Sequence, residues 1–240
     1  LKTRLFFTAL SIILIFFASQ LVAQTAGDPL IEGFRLVEVA SVADAIEQLY
    51  GIQSYLPGDV RPLFTTKFVG PAVTVEMKKA ENKEPNPLAK MIETIDTIKP
   101  GAVFVLAAEG DIKYGVLGGL MGTTLKYRGA AGAVTDAAIR DAPQLKRIQL
   151  PVYSRGVAPG TTVGHFRVTG VNVPVVMAGV KINPGDIIAA DEDGVVIIPR
   201  ERAAEVLKKA QELDFAEHSQ LPLIEQTKSL AEAIKRFGRL

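Results

Sequence analysis

Between Gly115 and Asp141 the chain reads GVLGGLMGTTLKYRGAAGAVTDAAIRD. Its chemistry-bearing residues are three glycines at one end and an arginine–aspartate pair at the other. Gly115, Gly118 and Gly119 let the backbone approach a ligand closely and expose N–H groups where a helix begins. Arg140 carries a guanidinium, a planar fork suited to carboxylates. Asp141 carries a carboxylate, the usual oxygen ligand of a hard divalent cation. Brought together, the two ends would form a site for a small anion, with a place for a metal ion. A plainer alternative is open as well. Asp141 lies two residues before Pro143, as a helix N-cap would, with Arg140 as its surface ion-pair partner.

For the two ends to meet, the intervening chain must fold back. LMGTTLKYR reads as a short helix, and AGAVTD as a small, β-branched strand crossing a sheet interior. Upstream, residues 24–40 read as a polar lead-in. Ser41-Val42-Ala43-Asp44 resembles a capping box and opens a helix through Tyr50, ended by Gly51. TTKFVGPAVTVEMKK alternates like a strand, and Pro71 places that end at an edge or bend. AENKEPNP is a loop; LAKMIETIDTI has helical spacing at Leu88, Met91, Ile92 and Ile95. AVFVLAA is a strand, PQLKRIQ a short helix and LPVYSRGVA another strand. From Val171 the pattern becomes hairpins, with turns at Asn183-Pro184-Gly185-Asp186 and Asp193-Gly194. ERAAEVLKKAQEL begins an amphipathic helical region, broken near Leu221-Pro222. These alternations define a single α/β domain over residues 24–210, followed by a C-terminal helical extension, 211–240.

Composition removes several alternatives. Lys2 and Arg4 precede the apolar, acid-free run LFFTALSIILIFFASQLVA, and QTAGDP follows it. That is the layout of a secretory signal peptide over residues 1–23, with an uncleaved membrane anchor as the alternative. Either places the body of the protein outside the cytoplasm, periplasmic or secreted. Without Lys2 and Arg4 the chain has 25 Lys and Arg against 26 Asp and Glu, a formal charge of −1, which argues against a nucleic-acid partner. There is no cysteine, so a thiol nucleophile and a thiolate metal site are excluded. His165 and His218 are far apart and do not form a histidine zinc site. The glycine spacing is not that of a dinucleotide fold.

Taken in order, SVADAI, GPAVTV, KPGAVFVL, GGLMGTTLKYRGAAGAVTDAAIRD, LPVYSRGVAP and VPVVMAGVKINPGDIIAADEDGVVIIP resemble the RraA-like family of 4-hydroxy-4-methyl-2-oxoglutarate aldolases and ribonuclease E regulators, over residues 36 to 210. The resemblance implies a swivelling β/β/α domain assembled as a homotrimer or a dimer of trimers, with sites at subunit junctions. It implies a lyase for short 2-oxo acids that uses Mg²⁺ or Mn²⁺ and no Schiff base, with oxaloacetate decarboxylation as a sister reaction. By that match Arg140 and Asp141 are catalytic, and Asp141 holds the metal. Arg140 and the amides of Gly118, Gly119, Leu120 and Met121 grip the pyruvate carboxylate. The family pattern places an acid twenty residues before Arg-Asp, and here that position is Gly119. Glu109 and Asp111 are candidates to replace it, and Glu192 or Asp193 of a neighbouring subunit are candidate bases. Asn86 resembles a pocket asparagine. Ala137 stands where glycine is usual and would narrow the pocket. The alternative function is a catalytically weak family member that binds a protein or a small acid.

Overall fold

The computed structural model describes residues 27–81, 83 and 85–238; the signal-peptide segment lies outside them. The described residues open with helix α1 (Pro29–Arg35), within the stretch expected as a polar lead-in. Asp28 explains it: its carboxylate accepts the Leu30 N–H, and Pro29 fits the first turn. Helix α2 (Val39–Tyr50) begins two residues before the expected capping box, and Ser41 is buried within it. The cap comes from elsewhere in the chain, because the Val39 N–H donates to Asp191. Gly51 ends α2 in the left-handed conformation, as expected.

Strands β1 (Arg61–Pro62) and β2 (Phe68–Lys79), helix α3 (Ala89–Thr97), and strands β3 (Val103–Ala107) and β4 (Tyr114–Leu117) follow. Helix α4 (Gly119–Tyr127), β5 (Gly132–Thr135), β6 (Ala138–Ile139) and helix α5 (Ala142–Arg147) complete the organising stretch. Then come β7 (Val152–Ser154), β8 (Gly156–Val157), β9 (Gly160–Thr161), β10 (Phe166–Val171), the hairpin β11 (Val175–Met177) with β12 (Val180–Ile182), and the hairpin β13 (Ile187–Asp191) with β14 (Gly194–Ile198). Helices α6 (Ala203–His218), α7 (Leu221–Thr227) and α8 (Leu230–Phe237) close the chain. The C-terminal region has a second break that the sequence did not announce. Lys228 turns left-handed and Ser229 caps α8 through the Glu232 N–H.

The large sheet runs β1-β7-β5-β3-β2-β13-β14, with β10 also on β2. Its middle, β2-β3-β5-β7, is parallel. Pro71 therefore sits inside a central strand, not at an edge. It is tolerated because it ends the β13 ladder, opposite Ile187, while the β3 ladder starts only at Ala72. Strand β3 is buried on both faces: Phe104 and Leu106 enter the core beneath α3, α4 and α5, and Val103 and Val105 enter the core on the other face. A continuous apolar run is what such a strand requires.

A smaller parallel sheet, β8-β6-β4-β9, repeats the order of the larger one. Strands β3, β5 and β7 each bend and continue as β4, β6 and β8. The bends are fastened to one another. The Ala138 N–H donates to Asp111 O, and the Arg155 N–H to Ala137 O. The Asp136 carboxylate accepts the N–H groups of Ala108 and Gly110. This second sheet carries Gly118 and Arg140 to the same edge, at the carboxyl ends of β4 and β6. Helix α4 lies close on α5 because residue 122 is glycine: a Cβ there would lie 2.2 Å from Leu145 Cδ2.

Candidate active site

The organising stretch closes on itself. The Arg140 N–H donates to Leu117 O, which sets Arg140 across from the glycine turn. Gly115 makes room beneath it, since a Cβ there would lie 2.7 Å from Arg140 Cβ and 2.9 Å from Ala158 O. A Cβ on Gly118 would lie 3.0 Å from Arg140 Nε and 3.1 Å from Asp141 Oδ2. Gly115 is thus required by close approach to Arg140, and at Gly118 a side chain would press on both members of the functional pair.

Asp141 occupies the N-cap position of α5 but makes no side-chain capping hydrogen bond. Its backbone is left-handed, φ 56° and ψ 36°, a conformation that Asp tolerates better than most residues. The turn aims the side chain away from α5 and toward α4, where Oδ2 accepts the Gly119 N–H at 2.8 Å. Arg140 Nε lies 3.6 Å from the same oxygen. The plain N-cap reading thus fails on the side chain's direction.

These groups line a cavity of about 130 Å³ with Leu88, Gly115, Val116, Gly118, Gly119, Leu120, Met121, Thr161, Thr162 and Val163. Helix α4 starts at its wall, and the first turn of a helix leaves its N–H groups without intrahelical acceptors. Gly119 lines the cavity and gives its N–H to Asp141 Oδ2. The amides of Leu120 and Met121 stay at the cavity, where the helix dipole favours an anion. Arg140, Asp141, Gly118, Leu120 and Met121 are thus brought together as expected.

Several secondary candidates fall elsewhere. Asp111 is buried and holds the N–H groups of Lys113 and Tyr114 and the Lys79 ammonium at 2.7 Å. Burial pushes its carboxyl up, but Lys79 and the two amides together hold it below the ordinary value. Glu109 accepts the Lys79 N–H. Neither lines the cavity, so neither replaces the acid absent at Gly119. Ala137 is fully buried in the core and does not narrow the pocket. Asn86 accepts the Ala89 N–H at the start of α3, and it is Leu88 that reaches the cavity. Asp193 lines a separate cavity with Val39, Asp44 and Tyr55. His165 stacks on Tyr114 at 4.1 Å, and His218 sits between Glu38 and Asp214.

The sequence reading missed Thr161, Thr162 and Val163. Strand β9, only two residues long, brings them beside β4. Thr162 is buried although polar. A lone GTT in a glycine- and proline-rich passage gave no periodic signal.

A metal ion would find one carboxylate here. Among the described residues no three Asp, Glu or His side chains cluster as a metal site. One carboxylate fits Mg²⁺ or Mn²⁺ only with water and ligand oxygens completing the shell, which such ions accept.

A small sheet that carries an arginine–aspartate pair to the mouth of a glycine-led helix defines the class, and comparison with known proteins supplies the family. The RraA-like family model (Aldolase/RraA) matches residues 39–197, and the chain belongs to that family. A protein of Halalkalibacterium halodurans, provisionally named 4-hydroxy-4-methyl-2-oxoglutarate aldolase, is 34% identical over 182 residues, 74% of this chain and 80% of that protein. A Thermus thermophilus protein named 4-hydroxy-4-methyl-2-oxoglutarate aldolase is 25% identical over 146 residues, covering 60% of this chain and 87% of that one. Among solved structures, Streptomyces coelicolor RraAS2, described as an unusual member of the RNase ES inhibitor RraA family, aligns with a TM-score of 0.71 and 28% identity, over 84% of this chain and 98% of that one.

Proposed function

We propose that the chain is a divalent-metal-assisted carbon–carbon lyase that releases pyruvate from short 2-oxo acids. The substrates are of the 4-hydroxy-4-methyl-2-oxoglutarate type, oxaloacetate, or both. The observation that carries the reading is the convergence of Arg140, Asp141 and the unspent amides of Leu120 and Met121 on one small cavity. The names of the relatives support the same class of reaction.

In either reaction the bond to C3 of the 2-oxo acid breaks and its electron pair becomes a pyruvate enolate. Aldol cleavage sends the C4 hydroxyl proton to water, since no second carboxylate lines the cavity among the described residues; decarboxylation releases CO₂ instead, and in both reactions the enolate takes a proton from water at C3 to give pyruvate. The amides of Leu120 and Met121 hold the substrate carboxylate. Arg140 holds the ketone oxygen, where the negative charge grows, and such donors act most strongly when fixed beforehand. Asp141 orients that turn through Gly119 and is the residue that would hold Mg²⁺ or Mn²⁺, which supplies Lewis acidity to the enolate. Leu120 and Val163 stand exposed at the mouth, a surface that a second copy in a homotrimer would cover. The N-terminal segment supports export of the body to the periplasm or beyond.

The single carboxylate favours a second reading, a small-acid-binding protein with slow turnover. Pyruvate release from both substrates by the purified protein, with Mg²⁺ or Mn²⁺ and with chelator, separates the two. Metal-dependent turnover lost in Arg140→Ala and Asp141→Ala is expected. Turnover no faster than the free metal ion would reject the lyase.

A further inference from the structure

We infer that the C-terminal helical hairpin, α7 and α8, is a docking surface for an anionic phospholipid membrane. Its exposed apolar side chains enter the acyl layer, and its lysines and arginine meet the phosphates. This is a role separate from the lyase site.

The hairpin stands apart from the fold it follows. The family model ends at residue 197, and no residue of α7 or α8 joins any of the three buried cores. Helix α8 is nevertheless defined at both ends, capped by Ser229 and closed by a left-handed Gly238. Leu230, Ala233, Ile234 and Phe237 recur at the spacing of one helix face, and Glu232, Lys235 and Arg236 hold the opposite face. Only the middle of the apolar face is covered. Ala233 is buried and Ile234 half-buried, whereas Leu230 is 51% and Phe237 41% exposed. Leu221 on α7 and Phe215 in the last turn of α6 are exposed as well. Large apolar side chains left to water in one short stretch of chain mark a contact surface.

Charge says what that surface contacts. Between Lys228 and Gly238 three basic residues, Lys228, Lys235 and Arg236, stand against one acid, Glu232, and Arg239 follows in the sequence. Lys228, Lys235 and Arg236 have no carboxylate partner among the described residues, in contrast to Arg35, Arg155 and Arg200, which pair with Glu32, Asp59 and Asp28. A helix with basic residues on its polar face and Leu and Phe on the other lies in the headgroup layer. Long basic side chains there reach outward to the phosphates.

Helix α8 has 8 residues, which advance about 12 Å against about 30 Å of hydrocarbon. It therefore lies along the surface and does not cross. A second copy of the chain would cover the apolar side chains, but a two-fold contact presents the same patch from both sides, so the excess positive charge stays unmatched. The apolar run before residue 24 agrees with a lipid partner, since as a signal or as an anchor it brings the chain to a membrane.

The chain has no tryptophan, so Phe237→Trp puts a single indole on α8 that reports this helix independently of the apolar run. The full chain carrying Phe237→Trp is mixed with vesicles of phosphatidylcholine, with or without phosphatidylglycerol, whose acyl chains are brominated to quench the indole. Emission is expected to shift to the blue and to be quenched with phosphatidylglycerol present. Quenching should fall by more than about half without that lipid, and likewise when Lys235→Glu and Arg236→Glu are added. Raising salt to about 1 M, where screening acts within about 3 Å, should do the same with no charge variant. Leu230→Trp repeats the reading from the other end of α8. An indole left unquenched by phosphatidylglycerol vesicles in both tryptophan variants would overturn the inference. So would quenching that ignores lipid charge and salt, or a blue shift that grows with protein concentration in the absence of vesicles, the mark of a second copy on this face.

Discussion

Asp136 and Asp141 lie five residues apart in TDAAIRD, and each accepts backbone N–H groups, yet their surroundings divide them. Asp136 is 3% exposed, at the bend between β5 and β6, and both its oxygens hold amides of the neighbouring bend, Ala108 at 2.8 Å and Gly110 at 3.1 Å. Arg155 lies within electrostatic range. Asp141 is half-exposed, left-handed and tied through one oxygen to one amide. The first carboxylate is used up in joining strands. The second keeps an oxygen in an open cavity beside a guanidinium. What separates a structural acid from a chemical one here is the number of lone pairs left facing a ligand.

The strongest way to break that contrast is to remove charge at the open end. Asp141→Asn keeps the shape and suits the left-handed backbone, so the fold should survive with an unfolding free energy within about 1 kcal/mol of wild type. Pyruvate release should fall by about 10²–10³, the scale of losing a preorganised electrostatic group. Turnover within threefold of wild type would remove Asp141 from the chemistry.

At the closed end the effect should appear in stability. Asp136→Ala leaves the N–H groups of Ala108 and Gly110 without their acceptor. Each buried unsatisfied donor costs about 1–3 kcal/mol. A loss of roughly 2–6 kcal/mol in urea unfolding is expected, with turnover per folded molecule close to wild type. A stable Asp136→Ala protein without activity would reverse the two roles.

The two ends were not equally legible. Arg140, Asp141 and the glycines stand in one contiguous stretch, and the helix and strand between them have short-range signals, so their meeting could be read from the chain. The bends were hidden. TDAAIRD looks like one strand end, and only the neighbouring bend, through the N–H groups of Ala108 and Gly110, turns Asp136 inward. The cap of α2 by Asp191 and the approach of Thr162 to the cavity are long-range contacts that leave no local pattern. Pro71 misled for a related reason: its exclusion from central strands assumes an uninterrupted ladder, and β2 changes partners there.

Gly119 allows a gentler test, in which the open end gains a carboxylate. In Gly119→Asp the new Cβ would meet Gln144 Cγ at 3.1 Å and Asp141 Cβ at 3.2 Å, contacts relieved by shifts of a few tenths of an ångström. Two adjacent carboxylates should bind Mn²⁺ about tenfold more tightly than one, because added ligand charge raises affinity for a hard cation. Free Mn²⁺ measured by paramagnetic resonance reads this directly, and faster pyruvate release should accompany it if the missing acid limits turnover. Unchanged Mn²⁺ affinity in a folded variant would mean that the metal does not sit beside Asp141.

The smallest expected effect lies in how stability follows pH, where the two neighbouring bends supply acids whose pKa values shift in opposite directions. Burial pushes the Asp136 carboxyl above its ordinary value of 3.8, outweighing the amides of Ala108 and Gly110 and the charge of Arg155. Between 3.8 and that raised value, the native chain holds a proton that the unfolded chain has lost. Stability from this group therefore falls as pH rises through the window. Asp111 is held below 3.8, so the unfolded chain is the one that binds the proton, and stability from this group is lost as pH falls below 3.8. Urea unfolding at a series of pH values from about 3 to 6, for wild type, Asp136→Asn and Asp111→Asn, should remove one slope in each variant. The same pH profile in both variants would mean that the bends do not set the two acids apart, and burial would lose its place as the cause.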